Sequence, residues 1–381
     1  MITLKVIVDQ LVSPVPGGLG RYTEELTRSL IATAPAGCEV EGIVSATSAE
    51  HYDQIIAALP GLAGLHKMAL ARRELSAAWQ LGVATSAGHG LVHAPGLFAP
   101  LHRHDRAKDE TQVAVTVHDV LAWTHPETLT PTTVARAKLM LKRARKHADA
   151  IVAPSHALAD QLREIMNFGD RVRVIGGAVS SSLTLPTNSA AAENMAVELN
   201  LPDEYILTAG TLEPRRAVTA LIEALGRPGA VDLPLLVVGP DSWGELTLAS
   251  VADEAGLAPD RVRALDGLSD QQLALVMSRA SVFVYPSLEE GFGLPIIQAF
   301  HFGTPVIHSD APALVEAAGD AGFVVERDDP AGYPERLAAA LDRVLGDAAL
   351  ADRLRIFGSD RSRAFSWRDT AERVWQLHAD L

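Results

Sequence analysis

The stretch Ser281–Asp310, SVFVYPSLEEGFGLPIIQAFHFGTPVIHSD, constrains the fold more than any other part of this chain. Ser281 to Tyr285 is a short apolar, β-branched and aromatic run, the pattern of a strand buried on both faces of a parallel sheet. Pro286 and Ser287 end it, Gly291 and Gly293 permit backbone geometry closed to other residues, and Pro295 suits the first turn of a helix running to about Phe302. Gly303 stops that helix, and Thr304 to His308 reads as the next strand. Strand, glycine loop, helix and strand in this order leave free amides at the helix start, a site for an anion such as a phosphate. Glu290 narrows the ligand. A carboxylate repels a neighbouring anion, so Glu290 is read as accepting hydrogen bonds from neutral hydroxyls beside the phosphate. Hydroxyls beside a phosphate describe a sugar nucleotide.

Elsewhere the chain repeats the same alternation. Strand candidates stand at Thr3 to Val8, Glu39 to Val44, Gly90 to His93, Val113 to Val117, Ala148 to Val152 and Val172 to Ile175, with helical patterns between them. They recur at Tyr205 to Ala209, Leu235 to Gly239 and Val262 to Leu265. This is the pattern of doubly wound α/β domains, in which ligands sit beyond the carboxyl ends of the strands. A length of 381 residues suggests two of them. We expect a first domain over 1–183, a Ser/Thr/Ala-rich linker over 184–198, a second domain over 199–365 and a closing helix over 366–381.

Composition removes several classes. The single cysteine, Cys38, can form no internal disulfide, and the first residues look like a strand rather than a secretory signal, so a cytoplasmic protein is expected. A formal charge of −14 argues against general nucleic-acid binding. No lysine follows Lys146, so a phosphate site in the second half must use arginine, histidine or backbone amides, and a pyridoxal Schiff base there is excluded. The loop Asp9 to Gly20, with a helix expected from about Arg21 to Ala34, does not fit the tight GxGxxG turn of a dehydrogenase. No Asp-x-Asp occurs, so no cofactor and no metal are expected. One basic segment stands out, 131–147, with Arg136, Lys138, Lys142, Arg143, Arg145 and Lys146; it can lie on anionic lipid or form a solvated face.

Four motifs carry a resemblance to a known family. EGFGLP (Glu290 to Pro295) followed by a helix and GTPV, GGLGRYT (Gly17 to Thr23), GTLEPRR (Gly210 to Arg216) and the His118–Asp119 pair together resemble glycosyltransferase family 4 (group 1), with mannosyltransferases most similar in style. The resemblance runs from about Val8 to Trp367. It departs from the family at Gln298, where a second glutamate is usual, at Arg216, where lysine is usual, at Gly176 to Val179 (GGAV for Asn-Gly-Val) and at Val315 (for proline).

The resemblance implies an α/β, GT-B protein, two Rossmann-like doubly wound domains facing across a cleft, that transfers a sugar from a nucleoside diphosphate with retention. It implies donor contacts at Gly18, Gly20, Gly291, Phe292, Gly293, Leu294 and Gln298, with Glu290 on the sugar and His118 at the reacting face. Arg215 and Arg216 are adjacent guanidinium groups after a strand and a glycine, suited to clamp a diphosphate. Asp119 either orients the His118 ring or caps the following turn, and Ser155 shapes the acceptor side. The expected partners are a nucleoside-diphosphate sugar, GDP-mannose ahead of UDP-glucose or UDP-N-acetylglucosamine, and a glycan, lipid or small-molecule hydroxyl. A nonhydrolysing sugar-nucleotide epimerase and a nucleotide-sugar-binding protein without turnover are the alternatives.

Overall fold

The computed structural model describes residues 1–14, 17–85 and 90–381. The chain divides into two compact units, Met1–Ser180 with Ser366–Leu381, and Ser181–Phe365.

In the first unit seven parallel strands lie in the order Gly64–Ala71, Cys38–Ala46, Ile2–Ile7, Gly90–Ala94, Thr111–Thr116, Ala150–Ala153 and Val172–Val174. Alternate residues serve opposite faces, as the pleat requires. Val113 and Val115 join one apolar core with Ile7, Val92 and Ile151, while Ala114 joins Leu4, Val6 and Val152 in the other. The helix Trp367–Asp380 belongs to this unit and lies on the helix Gly17–Ala32, with Ala371, Val374 and Leu377 buried and Trp375 Nε1 donating to the Leu30 carbonyl at 3.1 Å. Large apolar side chains sunk in this way contribute roughly 1.5–3 kcal/mol each.

The second unit holds six parallel strands, in the order Val262–Leu265, Leu235–Val238, Ile206–Ala209, Val282–Tyr285, Val306–Ser309 and Phe323–Val325. A short antiparallel ribbon pairs Ser242–Trp243 with Leu246–Thr247. Val282 and Val284 face one core, Phe283 and Tyr285 the other. Both units are therefore parallel-sheet, Rossmann-like domains, as expected from the sequence.

Each sheet reverses its strand order once. In the first unit the reversal falls between Ile2–Ile7 and Gly90–Ala94, and in the second between Ile206–Ala209 and Val282–Tyr285. Beyond the carboxyl ends at such a reversal neighbouring loops diverge and leave a crevice.

Several elements differ from the sequence reading. The strand Gly64–Ala71 extends one sheet edge with only Met68 buried, so it lacks the apolar run that marks a buried strand; the edge strand Phe323–Val325 is too short to signal itself. The first long helix starts at Gly17 rather than Arg21, which places Gly18 and Gly20 inside its first turn and not in a loop. Glycine there costs roughly 1 kcal/mol against alanine, offset by burial of Tyr22, Leu26 and Leu30 further along. The stretch 184–198, expected as linker, contains the helix Ser189–Glu198, whose Asn188 side chain caps it by accepting from the Ala191 amide.

Candidate active site

The loops at the reversal of the second sheet carry the charged residues. After Ile206–Ala209 the chain turns through Gly210 at φ +143, which lies against Gly239 at φ +151, where a Cβ would strike the Gly210 carbonyl. Only glycine at 239 lets the two strand ends approach so closely. A 3-10 turn, Pro214–Arg216, follows, and Ala217 at φ +51 swings the backbone into the helix Val218–Leu225.

This loop is stitched to the one after Val282–Tyr285. The Leu288 amide donates to the Arg215 carbonyl at 2.7 Å and joins the two loops, while Tyr333 Oη, at 2.8 Å, and Ser309 Oγ hold the second loop by donating to the Pro286 and Ser287 carbonyls. With their backbones tied, the side chains of both loops converge with little freedom.

They converge on Glu290. Its Oε1 accepts from Tyr285 Oη at 2.9 Å, from Ser287 Oγ at 2.8 Å and from Arg216 Nη1, and Arg215 Nη1 lies 3.6 Å away. Arg215 is buried and also donates from Nε to Glu213 Oε1 at 2.8 Å. Burial alone would lower the Arg216 pKa, but Tyr285, Glu290 and Glu213 outweigh it and raise it, so the guanidinium is permanently charged. Burial, with Glu290 beside it, likewise pushes the Tyr285 phenol far up, so this hydroxyl keeps its proton. The cluster contains two fixed cations and two carboxylates, Glu213 and Glu290, within a largely desolvated pocket wall.

Gly291 and Gly293 follow directly. Gly293 sits at φ +97 as the cap of the helix Leu294–His301, and a Cβ there would come within 2.9 Å of the Leu314 side chain. Phe292 meets Phe365 edge to face at 5.8 Å. Gln298, one turn into the helix, is buried. Arg215, Arg216, Glu290 and the Gly291–Leu294 segment thus come together at one crevice.

The first unit gathers the remaining candidates at its own strand ends. His118 follows Thr111–Thr116, and its Nε2 lies 2.7 Å from the Pro95 carbonyl just beyond Gly90–Ala94. That carbonyl can only accept, so Nε2 carries the proton and Nδ1 presents a lone pair. Burial lowers the His118 pKa against the pull of Pro95 and Asp119, which keeps the ring neutral. The ring stands edge-on to Tyr22 at 4.6 Å, and Tyr22 to Trp367 at 5.4 Å. Asp119 Oδ1 accepts from the Leu121 amide at 3.1 Å and so starts the following turn, while Pro95 orients the imidazole. Ser155 is the cap of the helix His156–Ile165, accepting from the Leu158 amide at 3.0 Å.

Tyr285 and Ser287 are not among the site residues expected from the sequence, where Ser287 only ends a strand. Tyr285 reads there as the last core residue of a strand, and only the fold shows its hydroxyl emerging at the strand end beside Glu290.

Two family models match the chain, "Glycosyltransferase Family 4" over residues 16–183 and "Glycosyl transferases group 1" over residues 203–347. The O-antigen chain mannosyltransferase B of Escherichia coli is 28% identical over 284 residues, spanning 73% of this chain and 71% of the relative. A D-inositol 3-phosphate glycosyltransferase of Nocardia farcinica is 27% identical over 98% of this chain and 90% of its own length. For the serotype-specific mannosyltransferase WbdA of Escherichia coli, 29% identical over 59% of this chain, the match spans 28% of the relative. Among solved structures, sucrose-phosphate synthase of Thermosynechococcus elongatus superposes with a TM-score of 0.73 at 22% identity, covering 100% of this chain and 99% of the other. HepE of Anabaena in complex with UDP-glucose superposes with a TM-score of 0.73 at 16% identity, covering 100% of both chains. The chain belongs to glycosyltransferase family 4, the group 1 glycosyl transferases, and is a glycosyltransferase of the GT-B type.

Proposed function

We propose that the protein transfers a hexose from a nucleoside diphosphate to a hydroxyl of a glycan, lipid or small molecule with retention, giving an α linkage, and that the donor is GDP-mannose. The observation that carries this reading is the meeting of Arg215 and Arg216 with Glu290 at the strand-order reversal of the second unit. A diphosphate placed on both guanidinium groups and on the Gly291–Leu294 amides has its growing negative charge met by donors already in position as the C1–O bond breaks. Glu290 holds hydroxyls of the sugar. The acceptor oxygen bonds to C1 on the face the diphosphate leaves, and its proton passes to a phosphate oxygen of that leaving group. His118, neutral and with Nδ1 unprotonated, accepts a hydrogen bond from a substrate hydroxyl. Gly18 and Gly20 let the backbone near the first helix start approach the donor, and Gln298 bonds the ribose diol. Asp119 and Ser155 hold the acceptor-side loops.

Support for mannose comes from the two mannosyltransferase relatives; the HepE complex favours UDP-glucose as the second reading. A thermal-shift panel of GDP, UDP, dTDP and ADP in EDTA separates them. GDP is expected to raise Tm most, the equivalent of about 2.7 kcal/mol at a hundredfold excess over Kd. A shift with UDP alone moves the assignment to the second reading, and no shift with any nucleotide sinks the metal-free diphosphate site. Release of an epimer from donor alone would instead indicate the epimerase.

We also propose that the basic helix Pro131–His147 rests on an anionic membrane. Its Met140, Leu141 and Ala144 are buried, while Lys142, Arg145 and Lys146 are exposed. At its end lies an open basin of about 890 Å³ in which Arg103, Arg106, Lys146, Arg171 and Arg173 outnumber Asp149, Asp170 and Asp380. Burial first, and then the neighbouring Arg143, Lys146, His104 and His102, hold the His147 pKa below its ordinary value. Among the described residues no helix is long and apolar enough to cross a membrane. Each cation near an anionic surface contributes about 1 kcal/mol, so the triple variant Lys142→Ala, Arg145→Ala, Lys146→Ala should bind phosphatidylglycerol vesicles roughly a hundredfold more weakly. Equal sedimentation of both proteins with those vesicles would dismiss the idea.

A further inference from the structure

Every hydrogen bond that Glu290 accepts among the described residues falls on one of its two oxygens. Tyr285 Oη, Ser287 Oγ and Arg216 Nη1 all reach Oε1, although the side chain is 12% exposed and Oε2 belongs to the same carboxylate. Ser287 has one proton and three acceptors near it, the carbonyls of Arg215 and Glu289 at 3.2 Å and Glu290 Oε1 at 2.8 Å. The nearest is also the charged one, and charge-assisted bonds are the stronger.

Tyr285 stands apart from the others. Its hydroxyl joins the two groups assigned to different parts of the donor, donating to Glu290 and accepting from Arg216 Nη1. The ring is buried and packs against Phe283 at 5.9 Å, so the hydroxyl is held in one place by the core of the second unit. Arg216 has a different status. It pairs with Glu290, yet a diphosphate carries more charge than a carboxylate and competes for the same guanidinium. A carboxylate whose closest cation leaves it in a desolvated site tends to swing after that cation or to take up a proton. Two fixed hydroxyl donors on Oε1 oppose both outcomes.

We infer that Tyr285 is a positioning residue for the donor: its phenol anchors Glu290 through Oε1, so that Arg216 can move to the diphosphate while Oε2 stays aimed at the hydroxyls of the transferred sugar. Ser287 acts in the same sense on the same oxygen. The inference rests on the nucleotide-sugar reading above. It goes beyond that reading by coupling recognition of the diphosphate to recognition of the sugar through one exchanged ion pair.

The test is calorimetric binding of a nucleoside diphosphate and of its sugar, GDP with GDP-mannose and UDP with UDP-glucose, to the wild type, Tyr285→Phe, Glu290→Gln and the double variant. The ratio of the two Kd values reads the sugar contact alone. Loss of one hydrogen bond to a charged group should lower that ratio about tenfold in Tyr285→Phe and leave the diphosphate Kd within about twofold. In the Glu290→Gln background the same substitution should change the ratio by less than about twofold, because its effect passes through Glu290. Ser287→Ala, which leaves the aromatic core intact, should lower the ratio in the same direction and guards against a folding defect in the phenylalanine variant. The inference is overturned by an unchanged ratio in Tyr285→Phe, by equal weakening of both ligands, or by a full further loss in the double variant. A wild type that binds neither pair overturns the donor reading, and this inference with it.

Discussion

Arg216→Ala is expected to lower kcat/KM by about 10²–10³, while Arg216→Lys stays within about tenfold of the wild type. On the proposed reading the alanine removes a cation that meets charge growing on the leaving phosphate, so kcat should fall more than KM rises. Lysine restores the charge at that position but not the paired N–H geometry, and the residue usual in the family is lysine. The fold should survive either change. Glu290 keeps the Tyr285 and Ser287 hydroxyls at 2.9 and 2.8 Å and Arg215 at 3.6 Å, so its carboxylate is not left alone in the pocket wall. Steady-state kinetics with Tm as the folding control decides the matter. Activity of Arg216→Ala within about threefold of the wild type would remove Arg216 from the transition-state contacts.

The part of this site legible in the sequence is the part coded by local backbone chemistry. Gly291, Gly293 and Pro295 announce a loop and a helix start whatever surrounds them, and Gly293 does occupy the left-handed region at the helix cap. Arg215 and Arg216 are legible as adjacent guanidinium groups after a strand and a glycine, but their pairing with Glu213 and Glu290 is not. Nor is Tyr285. Its importance comes from a bond to Arg216, distant in the chain, and from the neighbouring places of Ile206–Ala209 and Val282–Tyr285 in the sheet, which no local pattern encodes. The same limit explains the first helix. Gly17, Gly18 and Gly20 look like a loop by propensity, but the apolar stripe of Tyr22, Leu26 and Leu30 carries the helix back through them once it packs on the sheet. Gly64–Ala71 escapes for the opposite reason, since its pairing with Cys38–Ala46 supplies what its own pattern lacks.

Acidification should unfold the first unit through two histidines buried in its core. His93, on the strand Gly90–Ala94, and His378, on the helix Trp367–Asp380, face each other edge to face at 5.6 Å in the core of that unit. Neither His93 nitrogen has a hydrogen-bond partner among the described residues, and His378 has only a 3.4 Å contact from Nδ1 to Gln112 Oε1. Burial, with His378 beside it, lowers the His93 pKa to about 3, and burial lowers that of His378 to about 4. In the unfolded chain both titrate near the ordinary value of about 6.5. Below that pH the unfolded state binds more protons than the folded one, so stability is fully present above about 6.5 and is lost as pH falls towards the folded values. At pH 4.5 each histidine costs roughly 2.7 kcal/mol relative to pH 7.5, about 5 kcal/mol for the pair. Urea unfolding at both pH values, followed by tryptophan fluorescence, to which Trp79, Trp123, Trp367 and Trp375 of this unit contribute, measures that difference. The variant His93→Leu, His378→Leu should lose most of the acid dependence, because two uncharged side chains have no protons to gain. An unchanged dependence in that variant would assign the acid sensitivity to other groups of this unit, His118 and His147 among them, whose pKa values burial also lowers.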